Sequence, residues 1–139
     1  MKILKLILIS FSVMSASGNV YAQSAPDKIL GFYWSPKKDA KIEIYKKGER
    51  YFGKSFWVAT PKKDVENPDK NLRQRDLLGV NLLTNFTCDN GEYSGGQVYD
   101  PANGKTYSCK ISFAGTNLKV RGYIGISLFG RTEIFERIK

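Results

Sequence analysis

A chain of 139 residues, 42% hydrophobic and 25% charged, has the size and balance of one globular domain that can bury a core without staples. Its 22 Lys and Arg outnumber 13 Asp and Glu for a formal charge of +9, which admits nucleic acid, an anionic lipid surface, an acidic ligand or plain solubility. The complete lack of histidine excludes Ser-His-Asp and Cys-His catalysis, His-ligated zinc and a histidine general base.

Met1, Lys2 and Lys5 form a basic start, residues 6–14 an apolar run, and Val20-Tyr21-Ala22 a small-residue cleavage site. This pattern predicts a secretory signal over residues 1–22, cut after Ala22, and a periplasmic or secreted domain over residues 23–139. The apolar run is too short for a permanent span, so no transmembrane segment is expected.

Residues 28–34 read as a first strand with a bend at Gly31, and Ser35-Pro36-Lys37-Lys38-Asp39 as a turn. Residues 40–46 alternate, with Ile42 and Ile44 on one side. Residues 50–59 follow as a third strand, which we read with Phe52, Phe56 and Val58 on one face and Tyr51 and Trp57 on the other. From Thr60 the pattern breaks into a charged connection holding Pro61 and Pro68. Asn67 is a suitable N-cap and Pro68 suits a first helical position, so a short helical lid is predicted within residues 61–76. Residues 77–86 are a strand with Leu78, Val80, Leu82, Thr84 and Phe86 alternating against Gly79, Asn81, Leu83 and Asn85.

The clearest signal is the hairpin GGQVYDPANGKTYSCKI, residues 95–111. Asp100-Pro101-Ala102-Asn103-Gly104 stops one alternating run and starts another, with Tyr107, Cys109, Ile111 and Phe113 on one face. Residues 118–123 and 131–138 complete the chain. About eight short strands separated by tight turns predict an antiparallel sandwich or barrel, and eight strands close around room for one small ligand. Cys88 and Cys109 fall on strands separated by a third. Two strand spacings are about 9.6 Å, beyond the roughly 7 Å between Cα atoms that a disulfide tolerates, so the geometry argues against a bridge without closing the question.

YDPANGKTYSCKI, with NPDKNLRQRDLLG before it and LKVRGYIG and GRTEIFER after it, resembles the bacterial domain of unknown function 2147 family over residues 31–137. The chain departs from the family pattern at Arg75-Asp76-Leu77, where Arg-Pro-Leu is usual. Gly31-Phe32-Tyr33-Trp34 is one residue longer than the usual Gly-x-Trp. The resemblance implies a small antiparallel barrel similar to the lipocalins and leaves the biochemical role open. In lipocalins an arginine of the last strand covers a tryptophan of the first, and Trp34 with Arg137 offers both ends of that latch, Arg131 being the competing arginine. Family blocks map onto Asn67-Pro68-Asp69 and Arg73-Gln74-Arg75.

The expected architecture is a single up-and-down, lipocalin-like all-β barrel with one short helical lid. The expected function is binding of a small, mainly apolar or amphipathic ligand in the barrel cavity. We take Phe52, Phe56, Leu82, Tyr107 and Phe113 as lining and Arg73 or Arg121 as the contact for an acidic head group. Trp34, Arg137, Asn67, Asp69, Asp100 and Gly104 are taken as structural. An ion-paired or solvated role for the two arginines competes with the ligand role. No catalytic residue, metal or cofactor is expected, since no nucleophile motif appears and the carboxylates show no paired spacing. Aromatic side chains interleaved with bases could stack on nucleic acid, but a signal-bearing chain gives that little opportunity, and none is expected as a partner. The alternative is an envelope interaction or structural module without a small ligand; the oligomeric state is open.

Overall fold

The computed structural model describes residues 25–139, and the expected signal segment with its cleavage site at Ala22 lies outside the described residues. The strands are β1 (Gly31–Trp34), β2 (Ala40–Lys47), β3 (Arg50–Val58), β4 (Asn81–Asp89), β5 (Glu92–Asp100), β6 (Lys105–Ala114), β7 (Asn117–Tyr123) and β8 (Gly130–Arg137). Each pairs antiparallel with its sequence neighbour, and β1 closes on β8 through Tyr33↔Arg137 and Trp34↔Glu136. The predicted up-and-down barrel is therefore the fold. Closure leaves no edge strand exposed.

Its two ends differ. At one end the tight β2–β3, β4–β5 and β6–β7 turns surround a packed core that includes Ile44, Phe86, Tyr93, Ile111 and Leu118. A 3₁₀ helix (Ala25–Ile29) closes this end, burying Ile29 completely. Three inward tyrosines hold the plug. Tyr33 donates to the Ile29 carbonyl at 2.9 Å, Tyr51 to Asp27 Oδ1 at 2.5 Å, and Tyr93 to the Pro26 carbonyl. Burial chiefly pushes all three hydroxyls above the ordinary tyrosine pKa, so they remain protonated donors. Residues 28–34 were expected as one strand; their first residues belong instead to this helix, because burying Ile29 gives its end of the chain a core to pack on.

At the other end lie the β1–β2 turn, the connection of residues 59–80, the β5–β6 turn and the β7–β8 loop. The connection holds one short 3₁₀ helix (Lys70–Leu72). Its N-cap is Asp69, which accepts from the Asn71 amide at 2.9 Å, and Asn67 is spent one step earlier, accepting from the Asp69 amide at 2.8 Å. Residues 77–80, read as the start of a strand, return along β3 through Ser55, whose amide donates to the Val80 carbonyl at 3.1 Å.

Four irregularities set which residues face inward. The register slips at Phe56 in β3, at Leu82 and again near Asn85 in β4, and near Gly95 in β5. Asn85 and Gly95 hold φ of 63° and 73°, the left-handed conformation a bulge requires. Each extra residue exchanges the inner and outer faces beyond it. Cys88 and Cys109 are both free thiols; burial pushes the Cys109 thiol up to about 12, so it stays protonated.

Candidate ligand cavity

The open end leads into a cavity of about 1070 Å³. Small inward residues leave room at this end, Ser55 on β3 and Gly122 on β7. Below the cavity the barrel is filled: Tyr51 belongs to the core, and a Cβ on Gly53 would come within 2.9 Å of Ile44 and 3.0 Å of Leu83. Across the barrel, Gly96 and Gly122 flank Cys109 in the ladder. Leu83, Val98, Tyr107, Val120 and Phe135 form the apolar wall. Glu133, paired with Val120 in the ladder, puts a half-buried carboxylate on that wall, and Arg131 holds it at 2.6 Å. At the mouth Lys37, Lys62 and Lys63 stand with Asp39, Glu66 and Asp100. Among the described residues no group of His, Cys, Asp and Glu has the arrangement of a metal site.

The connection of residues 59–80 forms one side of the mouth, and its organising atom group is the Asp64 carboxylate. Asp64 is fully buried and accepts from Arg75 Nε at 2.9 Å, Asn67 Nδ2 at 2.8 Å and Tyr99 Oη at 2.5 Å. Burial alone would raise its pKa; the bonds from Tyr99, Asn67 and Arg75 and the Arg75 charge outweigh that and hold it below the usual carboxylate range. Since Tyr99 lies on β5, the cluster ties the connection to the barrel wall. The β5–β6 turn supplies a second tie: Gly104, at φ 73°, packs so closely under Glu66 that a Cβ would sit 1.9 Å from the Glu66 carbonyl oxygen. Asp100 accepts from the Ala102 amide at 2.9 Å, and its carbonyl accepts from the Gly104 amide at 2.8 Å, which shapes this turn.

Of the residues expected to line the cavity, Leu82 and Tyr107 do so, Leu82 because the bulge at its own position lets it share the wall with Leu83. Phe52 and Phe56 lie on the outer face. Phe52 stacks on Tyr45 with centroids 5.6 Å apart, and Phe56, displaced by the β3 bulge, packs edge-on against Phe32 at 4.9 Å. Phe113 sits towards the closed end, against Tyr93 at 6.2 Å. Neither expected arginine reaches the cavity. Arg73 donates to the Asn67 carbonyl at 2.8 Å within the connection. Arg121 lies on the outer face of β7 and binds the β7–β8 loop, donating to the Ser127 and Leu128 carbonyls at 2.6 and 3.2 Å. The charged groups at the cavity are instead Arg131 and Glu133 on the wall and Lys37, Lys62, Lys63, Asp39, Glu66 and Asp100 at the mouth; strand parity counted from Phe135 could have indicated Glu133.

The latch also differs in its partner. Arg137 lies over the Tyr33 ring at 5.1 Å and donates to the Lys28 carbonyl at 3.1 Å and the Leu30 carbonyl at 2.6 Å, fixing the 3₁₀ plug. Trp34 is on the outside, edge-on to Trp57 at 5.8 Å with Lys41 over its ring. The reason is alternation: the residue two after Gly31 shares its face, and in this chain that residue is Tyr33.

A family model described as an uncharacterized protein conserved in bacteria (DUF2147) matches residues 31–137. Among solved structures, the chain is similar to protein HP1028 from Helicobacter pylori, described as belonging to the lipocalin family. The TM-score is 0.72 at 22% identity, covering 80% of this chain and 83% of that one. No curated protein matches the sequence.

Proposed function

The chain belongs to the bacterial family DUF2147, and on that premise we propose that its lipocalin-like barrel binds a small, mainly apolar ligand in the open cavity, with a polar or acidic head at the mouth. The carrying observation is the asymmetry of the barrel: one end is packed and plugged, while the other holds about 1070 Å³ behind an apolar wall. A cavity of this kind is the usual form of a small-molecule site. An acidic head would meet Lys62 and Lys37, and Glu133 with Arg131 supplies the polar contact on the wall. Among the described residues no helix is long and apolar enough to cross a membrane. Export through the segment ending at Ala22 is part of this proposal.

Two measurements test it. Native mass spectrometry of protein recovered from the cell envelope should give a mass that begins at Gln23 and a retained small-molecule adduct; a full-length apo mass would contradict both parts. Titration with a fluorescent fatty-acid probe should saturate. Val98 is half-buried on the cavity wall, so Val98→Trp fills the space and should reduce affinity at least about tenfold, the loss expected when a fitted apolar contact of ~1.4 kcal/mol or more is removed. Phe56→Ser on the outer face should leave binding unchanged. Equal affinity in wild type and Val98→Trp would place the probe elsewhere.

A second reading, an interaction module, draws on the outer face of β1–β3, where Phe32 and Phe56 are 45% and 38% exposed beside the Trp34–Trp57 pair. A stable dimer that dissociates on Phe32→Ser would favour it.

A further inference from the structure

The β7–β8 loop is the most exposed apolar segment among the described residues. Ile124, Ile126, Leu128 and Phe129 are 73, 58, 75 and 72% exposed. The sequence from Arg121 to Arg131, RGYIGISLFGR, carries no charge between the two arginines. Ile124 and Phe129 also border the cavity mouth. An exposed apolar cluster of this kind marks an interaction site.

From this tip we infer that the open end of the barrel docks on an anionic lipid bilayer, with Ile126, Leu128 and Phe129 entering the acyl boundary and Arg131 at the headgroups. Three observations choose a bilayer over a protein groove. First, three carbonyls and one amide of the tip are prepared for an apolar phase. Arg121 binds the Ser127 and Leu128 carbonyls, and the Phe129 amide donates to the Ile126 carbonyl at 3.1 Å, so these groups enter with their hydrogen bonds made. Unsatisfied backbone groups are what keep ordinary loops out of hydrocarbon. Second, the order of residues matches depth: apolar at the tip, and Tyr123 and the arginines at its feet, where amphipathic side chains sit at a membrane surface. Third, the charge is complementary. Arg131, 83% exposed and paired with Glu133 at 2.6 Å, stands at one foot, Lys37 and Lys62 stand on the same rim, and beyond Ala22 the chain carries 20 Lys and Arg against 13 Asp and Glu, a charge of +7. The mouth also carries Asp39, Glu66, Asp100 and Glu133, which offset its cations locally, so the attraction to an anionic surface comes from the excess of basic residues over the whole chain, and the tip between Arg121 and Arg131 carries no acid. Docking in this pose puts the cavity entrance against the lipid, so an apolar ligand would pass between bilayer and barrel without crossing water.

The test is flotation of the protein, produced from the full chain, with vesicles of phosphatidylethanolamine and phosphatidylglycerol. Leu128→Ser/Phe129→Ser, made in the same way, shares any contribution from residues 1–24, so the difference reports the tip. Both side chains are exposed, and the variant should keep the wild-type circular dichroism. Removing two large apolar side chains should lower the vesicle partition coefficient by about tenfold or more. Phosphatidylcholine vesicles should bind less wild-type protein than the anionic ones, and added salt should release it. Leu128→Trp should show blue-shifted emission on the anionic vesicles. Equal flotation of wild type and the double variant would overturn the inference, as would a wild-type dimer that the double variant converts to monomer, since the tip would then meet a second copy. Probe uptake by the cavity is read separately, so the docking can fail while the ligand reading stands, and the reverse.

Discussion

Asp64 shows how one buried side chain can fix a whole connection. Its carboxylate satisfies Arg75, Asn67 and Tyr99 at once. Asp64→Ala would leave the Tyr99 hydroxyl and a guanidinium without their acceptor. Breaking a buried pair costs about 3–5 kcal/mol; because the Arg75 side chain is 35% exposed and water can replace part of the loss, about 2 kcal/mol is the expected drop in urea-unfolding stability. The pH dependence follows from the direction of the shift. The folded carboxyl titrates below its unfolded value, so its contribution is present above the ordinary carboxylate range and is lost as pH falls through the lowered value. Tyr99 behaves oppositely: burial first, then the bond to Asp64, push it up to about 12. Its contribution is present below the ordinary tyrosine value near 10 and is lost as pH rises through about 12. Asp64→Ala should therefore flatten both the acid and the alkaline limb of a stability–pH profile; unchanged limbs would assign the connection's hold to other contacts. At this scale the sequence was partly legible. The blocks at Asn67-Pro68-Asp69 and Arg73-Gln74-Arg75 were readable, and the structure shows why they belong together: Asn67 and Arg75 meet on Asp64, while Arg73 binds the Asn67 carbonyl. Asp64 was readable only as one of three acids, with Glu66 and Asp69, that could pair with Arg73; its partner is Arg75.

At the scale of elements, turns were easier to read than faces. The β5–β6 hairpin follows directly from Asp100-Pro101-Ala102-Asn103-Gly104, and β6 runs over the alternating residues that predicted it. The same turn holds the connection in place. Gly104→Ala would bring a methyl against the Glu66 carbonyl and load a left-handed backbone position. Strained left-handed conformations cost about 1–3 kcal/mol, and displacement of the connection adds to that, so thermal unfolding should fall clearly and proteolysis should begin within residues 59–80. Wild-type resistance to both would show that the turn and the connection move independently. Faces were harder because a bulge leaves little trace in sequence. Phe56 and Trp57 both lie outside, which strict alternation forbids, and Leu82 and Leu83 both reach the cavity. Only Gly95 carried a hint. A large side chain also drew attention to the wrong face of β3, whereas the β3 residue that faces the cavity from inside is the small Ser55.

The whole molecule divides its interior between packing and emptiness. The count of strands and the meander order were legible from turn spacing, since consecutive strands joined by short turns have few other ways to pair; closure into a barrel rather than a sandwich came from the family resemblance. The plug was not. Its signal was the set of inward tyrosines, Tyr33, Tyr51 and Tyr93, whose buried hydroxyls require acceptors that a strand ladder does not offer. The seam between β1 and β8 has a further consequence. Seven of the barrel's junctions join neighbours in sequence, but this one joins Tyr33 to Arg137 through only two residue pairs. Closing so long a loop is entropically slow, and the contact rewards it little until Arg137 also reaches the Lys28 and Leu30 carbonyls. Until β8 docks on β1, the strands form an open sheet with two free edges. Each of those edges offers unpaired backbone groups on which a second copy could add a strand, so loss of the seam turns a closed barrel into a template for strand pairing between molecules.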